Sequence, residues 1–539
     1  MEKRALLAVV LSLLVLFSYQ YFIGKNKKMP INKEVPQTKV TEPLKEGFED
    51  KARKERITSK NGIPIVKAKN ITQKEEKEVT VKTDLYTAIF TTRGAKLKSW
   101  KLEKYKDKIG KDAQNIDLVV DGRSEGYPLG LEFSKTNLND IGEAIFEVDK
   151  ESISLDAVEE QESISFSWTS PEGIKIIKKF TFSAGKYLLA MNVNISNLSD
   201  KEINGDTILS WKTKLDASNK VDRYSFSGAA ALVDGKLEEV KTKKLETDKT
   251  YSGTIKWAGY EDKYFISSII PEEPRNIKLR MSKSSDDVVS VDLIQPIELY
   301  SSGEIFYSYS LYLGPKDIDI LKSVGADLQK ALDFGWFDII AKPLLIFLKY
   351  INKYTNNFGL AIIILTIVIK ILFFPLTHKS YKSMKDMQKI QPLMLKLKKK
   401  YKDDKERLNK EIMLLYRSHK VNPLGGCLPM ILQIPVFFAL YKALLGSIEL
   451  RHAPFIFWIN DLSAKDPYYI TPIIMGASMF IQQKMTPTVG DPTQAKMMLM
   501  MPIIFTVMFL NFPSGLVIYW LVNNVLSIGQ QFYINKYTA

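Results

Sequence analysis

Cysteine and histidine are almost absent from this chain of 539 residues, which holds one Cys, at 427, and His only at 378, 419 and 452. A lone thiol excludes an intrachain disulfide, so an exported domain must hold together by packing alone. The histidines are scattered and lack metal-ligand spacing, so no metal site is assigned. Also missing are a GxxxxGK[ST] phosphate loop, a GxSxG elbow and an HExxH helix. Chemistry driven by bound nucleotide therefore finds no support, and no cofactor is assigned. Acidic charge is in deficit, 61 Asp and Glu against 76 Lys and Arg, for a net +15.

What the chain does have is long apolar runs. Phe358 to Leu376, FGLAIIILTIVIKILFFPL, is 19 residues long, close to the roughly 20 that cross a bilayer. It carries Lys370, and a lysine at the centre of a span costs about 2.5 to 3.5 kcal/mol unless it faces a partner, a cavity or an interface. Only six residues follow it in the run, so snorkelling to the nearer headgroups is one outcome. Thr366, four residues earlier and on the same helical face, favours a wet stripe instead.

Ala5 to Ile23 follows Lys3 and Arg4 and lacks a small-x-small cleavage site, so it reads as an uncleaved span. The Lys, Glu, Thr and Pro-rich stretch after it reads as a flexible tether. From Val79 to Leu313 short alternating runs such as SISFSWTS and YLLAMNVNIS, separated by turn residues, predict a water-soluble all-β double sheet. Its adjacent carboxylates, Glu261 with Asp262 and Asp286 with Asp287, read as solvated turn and edge groups rather than a catalytic pair. After Leu313 a connector leads into an amphipathic helix in the membrane interface, with Trp336, Phe337, Ile340, Leu344, Phe347 and Leu348 at roughly helical spacing, kinked or restarted at Pro343.

Between Leu376 and Val421 stand 14 Lys or Arg against five Asp or Glu. A short loop this basic is held on the cytoplasmic side. Its apolar spacing predicts two helices turned at Lys402 to Asp404. It suits anionic headgroups or a docking surface for RNA or protein equally well. Four more spans are expected at about Leu424 to Leu445, Tyr468 to Gln482, Met497 to Leu510 and Gly515 to Phe532, which puts both termini in the cytoplasm and the β domain outside. Gln433 interrupts the first of these, while Tyr519 with Asn523 and Trp520 with Asn524 form stripes on the last. Such groups serve as interhelical glue or line a polar recess.

The fold class expected is a polytopic α-helical membrane protein of six spans with a large extracytoplasmic all-β domain. Its parts are an anchor (1–24), a linker (25–78), the β domain (79–313), a connector with the interfacial helix (314–354), and a five-span core (355–535) carrying the basic hairpin (377–421). Two rival functions are a small-solute transporter, for which no second copy of the Lys370 segment exists, and a membrane-tethered carbohydrate-binding or carbohydrate-processing protein.

NPLGGCLPMILQIPVFFALYKAL at Asn422, ELRHAPFIFWINDLSAKDPYYITPIIMG at Glu449 and FPSGLVIYWLVNN at Phe512 closely resemble the YidC/Oxa/Alb family of membrane protein insertases. LGPKD at Leu313 and DFGWFDIIAKPL at Asp333 are similar to the same family, in its Gram-negative form. The resemblance implies a β supersandwich on the periplasmic side of the bacterial inner membrane. It also implies a non-enzymatic insertase and chaperone with a hydrophilic groove inside the bilayer. Relatives more usually carry arginine at the place of Lys370 and tyrosine at that of Trp520. The implied groove residues are Lys370, Thr366, Gln433, Tyr519, Trp520 and Asn523. The implied partners are nascent membrane proteins, the Sec translocon and its accessory subunits, membrane lipids, and the ribosome with the signal recognition particle pathway. Relatives with a long basic tail use it at the ribosome; this chain stops at Ala539, so that contact would rest on the hairpin.

Overall fold

The computed structural model describes residues 75–537 apart from 120–125, 137–140, 156–159, 216–225, 420, 422–427 and 486–491. The expected span at Ala5 to Ile23 and the tether after it lie outside the described residues.

Alternation builds the β domain. In Ile174–Ser183 the side chains of Ile174, Ile176, Phe180 and Phe182 are buried while Lys175 and Lys179 are not. This strand sits in a nine-stranded sheet, beside Leu188–Asn197, which in turn pairs antiparallel with Glu304–Pro315. Two five-stranded sheets pack on it. One presents Phe90, whose ring lies 4.8 Å from Phe180 and 5.8 Å from Phe182. The other is organised on Ile203–Lys214 and Val288–Leu299, paired antiparallel along their whole length. Burying each such aromatic or branched side chain contributes about 1.5–3 kcal/mol, which is how a domain without disulfides stays folded.

Lys178 breaks the alternation, because it occupies a core position and is fully buried. Its ammonium donates to the carbonyls of Gly94 (2.8 Å), Ala95 (3.3 Å) and Leu129 (2.9 Å). All three donors are thereby used, which is what makes a buried lysine tolerable.

The carboxylates divide. Asp286 and Asp287 are exposed in the turn after Ile277–Lys283, as their turn setting implies. Glu261 is not a solvated edge group; it is fully buried. It ends the strand Ile255–Glu261, where Lys316 Nζ lies 3.0 Å from its Oε2 and Glu239 is a near neighbour. Alternation says which face a side chain takes, but not that Lys316, 55 positions on, is waiting there. Asp262 accepts the N–H groups of Tyr264 and Phe265, at 2.8 and 2.7 Å.

Burial pushes the Glu261 carboxyl up to about 7 against the opposing pull of Lys316, while Glu239 beside it raises it further. A carboxyl whose folded pKa exceeds its unfolded value binds more protons when folded, so stability falls as pH rises between the two values. The full chain in detergent therefore loses stability between about pH 5 and pH 8 through this group, by up to about 3 kcal/mol at full titration. Glu261→Gln flattens that part of the profile, and thermal unfolding of both proteins at pH 5 and pH 8 measures the difference.

The rest is helical. After α1 (Ile318–Val324), α2 (Asp338–Thr355) buries Ala341, Leu345, Leu348 and Ile351 on one face. Trp336, Ile339 and Tyr354 are exposed, at 95 %, 85 % and 73 %. Pro343 lies inside α2 without ending it. Lys349 of α2 joins three segments: it bonds Asp317 at 2.8 Å and lies 2.6 Å from Asp319 and 3.2 Å from Glu449. Burial opposes its charge, but these carboxylates outweigh burial and hold its pKa above the ordinary lysine value. Asp317 follows Lys316 directly, so consecutive residues tie the β domain's buried Glu261 on one side and the helical core on the other.

Helix α3 (Phe358–Lys400) does not stop at Leu376, where the sequence places the end of a span, but runs for 43 residues through Pro375 and Pro392. Nothing after Leu376 forces a stop, and a proline costs one backbone bond and a bend rather than the helix when its neighbours support it. At 1.5 Å per residue α3 is about 65 Å long, so its second half projects beyond the apolar stretch. It turns at 401–404 into α4 (Lys405–Ser418), whose first turn is capped by Asp404 accepting from Arg407 N at 3.0 Å. The remaining helices are α5 (Leu428–Gly446), α6 (Ile470–Met485), α7 (Pro492–Phe509) and α8 (Ser514–Tyr537).

Candidate functional site

The helical core is apolar on its outside as well as inside. Ile367, Val368, Ile371 and Leu372 of α3, Ile473 and Ile481 of α6, and Ile503, Ile504 and Val507 of α7 are all exposed. An apolar belt this continuous matches lipid, not water. α3 is long and apolar enough to cross a bilayer, and 433–446 and 498–509 are shorter apolar helices. Gly476 lets α6 and α7 approach closely, since a Cβ there would collide with Thr506.

Polar groups collect instead where α3, α5 and α8 meet. A small recess, of about 20 Å³, is lined by Ile369, Lys370, Phe373, Leu376, Thr377, Gln433, Val436 and Asn523. Lys370 does not reach for headgroups, because its Nζ donates to Ser527 Oγ on α8 at 2.7 Å. Ser527 in turn donates to the Asn523 carbonyl at 2.7 Å. Gln530 Nε2 donates to Thr377 Oγ1 at 2.6 Å, a second tie between α8 and α3. Among the described lining residues Lys370 is the one ionisable group, and none is a carboxylate. Among the described residues no cluster of His, Cys, Asp and Glu could hold a metal.

Of the six residues the sequence nominates, Lys370, Gln433 and Asn523 line the recess. Tyr519 does not; it is buried in the bundle core. Thr366 is elsewhere: it is buried and its hydroxyl donates to its own helix at the Ile362 carbonyl, 2.6 Å away. A threonine inside an apolar helix satisfies itself this way when no polar neighbour is available. Trp520 faces an aromatic wall, 4.8 Å from Phe437 and 5.4 Å from Phe509, rather than the ammonium. Asn524 is glue, donating to Ser478 Oγ on α6 at 3.2 Å. The sequence reading missed Thr377 and Ser527. Ser527 lies four residues past Asn523, so carrying the Tyr519 and Asn523 stripe one turn further finds it.

A helical bundle with an apolar outer surface and an ammonium in a small recess, preceded by a disulfide-free β domain, defines a membrane protein. Comparison with known proteins agrees. Residues 350–539 match the 60Kd inner membrane protein family and residues 78–347 the YidC periplasmic domain. The membrane protein insertase YidC of Syntrophus aciditrophicus (strain SB) is 50 % identical over 543 residues, covering 99 % of this chain and 100 % of the relative. That of Citrifermentans bemidjiense is 44 % identical, with 100 % of each covered. A crystal structure of an active YidC insertase with its first transmembrane domain resolved covers 86 % of this chain and 94 % of its own at 19 % identity, with a TM-score of 0.37. The chain belongs to the YidC family of membrane protein insertases. It is an inner membrane protein with a periplasmic domain, and it acts on nascent membrane proteins.

Proposed function

We propose that the recess beside Lys370 is the groove through which this insertase passes the hydrophilic end of a client. The observation that carries the reading is an ammonium within the bilayer-crossing helix whose direct hydrogen-bond partner, Ser527, is neutral. A polar recess shortens the hydrocarbon that a hydrophilic segment must cross and so lowers the barrier to its passage. An acidic end gains further from the positive charge and from the membrane potential, at about 2.3 kcal/mol per charge per 100 mV. The client's apolar segment leaves along α5 and α7 into lipid, driven by burial. No bond in the client is made or broken, so the protein is not an enzyme in this reading.

The topology proposed is six spans: the N-terminal segment, the apolar part of α3, and α5 to α8. The basic hairpin of α3 and α4 lies in the cytoplasm with both termini. There it meets anionic headgroups and is the part available to the ribosome and the signal recognition particle pathway, while cooperation with the Sec translocon uses the same core.

Photo-crosslinking to a stalled single-span client tests the groove. A photoreactive residue at Gln433 or Asn523 labels the client, whereas one at Thr366, enclosed in the dry core, does not. Equal labelling from all three positions, or labelling from Thr366 alone, would contradict the proposed path.

A further inference from the structure

Ser527 is the group that fixes the ammonium in place. It is 2 % exposed, and its hydroxyl both donates and accepts. Its one proton goes to the Asn523 carbonyl, so both lone pairs are left to accept. Lys370 Nζ donates to one at 2.7 Å. A serine held by its own helix on one side and by Lys370 on the other is fixed in place. It is also neutral, so it orients the charge without cancelling it.

An ammonium has three N–H groups. One is spent on Ser527, and Lys370 itself lines the recess, whose other described polar lining is Thr377, Gln433 and Asn523. A carboxylate at this place would have formed an ion pair, and an acidic client would then have to displace a partner of its own kind. A hydroxyl asks for less, since charge-assisted bonds are roughly twice as strong as neutral ones.

We propose that Ser527 is a positioning residue that sets client specificity: by holding Lys370 with a neutral oxygen, it keeps the positive charge uncompensated and favours clients with an acidic leading segment. The proposal rests on the groove reading above. It makes the selectivity of insertion a property of residue 527 and not only of residue 370.

The test compares two single-span clients that differ only in their leading residues, Asp and Glu in one, Asn and Gln in the other. Insertion is followed in cells depleted of the native protein, with membrane levels of each full-length variant matched. Ser527→Asp gives Lys370 a permanent partner and is expected to slow the acidic client about tenfold or more while leaving the neutral client within about twofold. Ser527→Ala releases the side chain and lowers the acidic-to-neutral ratio about threefold, and Ser527→Thr restores it. A merely structural serine would move both clients together. Ser527→Asp slowing both in proportion overturns the proposal, as does an acidic-to-neutral ratio unchanged in Ser527→Asp or Ser527→Ala. Lys370→Ala separates the two ideas: if it inserts both clients normally the groove reading itself fails, whereas a defect there with an unmoved ratio in the Ser527 variants removes only this inference.

Discussion

Lys370→Glu is expected to abolish insertion of a single-span client with an acidic outer end, Lys370→Ala to slow it about ten- to a hundredfold, and Lys370→Arg to keep most of it. Two unit charges about 4 Å apart attract by about 4 kcal/mol at the effective dielectric of a partly wet protein site. Part of that is lost to desolvation of the carboxylate. A net 1.5 to 3 kcal/mol on the rate-limiting step corresponds to the range given for alanine. Glutamate reverses the sign and leaves two carboxylates facing each other. Arginine keeps the charge, but its planar fork does not match the single Ser527 oxygen that lysine's point charge uses. Insertion in cells depleted of the native protein, scored by protection of the client's outer end, reads all three.

The second large effect falls on stability. Lys349→Ala leaves Asp317 and Glu449 without their shared cation, and their side chains are 17 % and 8 % exposed. Removing one partner of a buried ion pair typically costs 3 to 5 kcal/mol because the other charge stays behind unpaired. With Lys349 itself 17 % exposed, the lower end, about 3 kcal/mol, is expected. Asp319→Asn is the control: that carboxylate is 65 % exposed, and losing an exposed pair costs less than about 1 kcal/mol. Limited proteolysis of the full chain should show cutting near 316–338 accelerated by Lys349→Ala and hardly changed by Asp319→Asn.

Much of this architecture is written in local patterns. Alternation over Gln161–Thr169 and Leu188–Asn197 reports strands because each residue's burial depends on its own face. Lys370 stands out because its charge is costly wherever an apolar helix carries it. The asymmetry lies in partners distant in sequence. Lys370 and Ser527 are 157 positions apart, Glu261 and Lys316 belong to different segments, and Lys178 finds its acceptors on two loops. Thr366 and Trp520 show the converse. Residue type and spacing admit them to a polar stripe, while packing spends one on its own backbone and turns the other to Phe437. The two helices turned near 402–404 were legible in the apolar spacing, but the continuity of α3 across Leu376 was not, since a basic stretch after an apolar one reads as a separate segment.

The central claim is that water and charge meet inside the bundle at residue 370. Cys427 is the sole native thiol, so Lys370→Cys in a Cys427→Ser background can be treated in membranes with an ethylammonium methanethiosulfonate, which attaches a new ammonium through a disulfide. The account predicts that the thiol reacts readily and that insertion of the acidic client recovers, while a methyl reagent of similar reactivity labels without recovery. A thiol as inert as one at Leu365, or full labelling with no recovery, would contradict it.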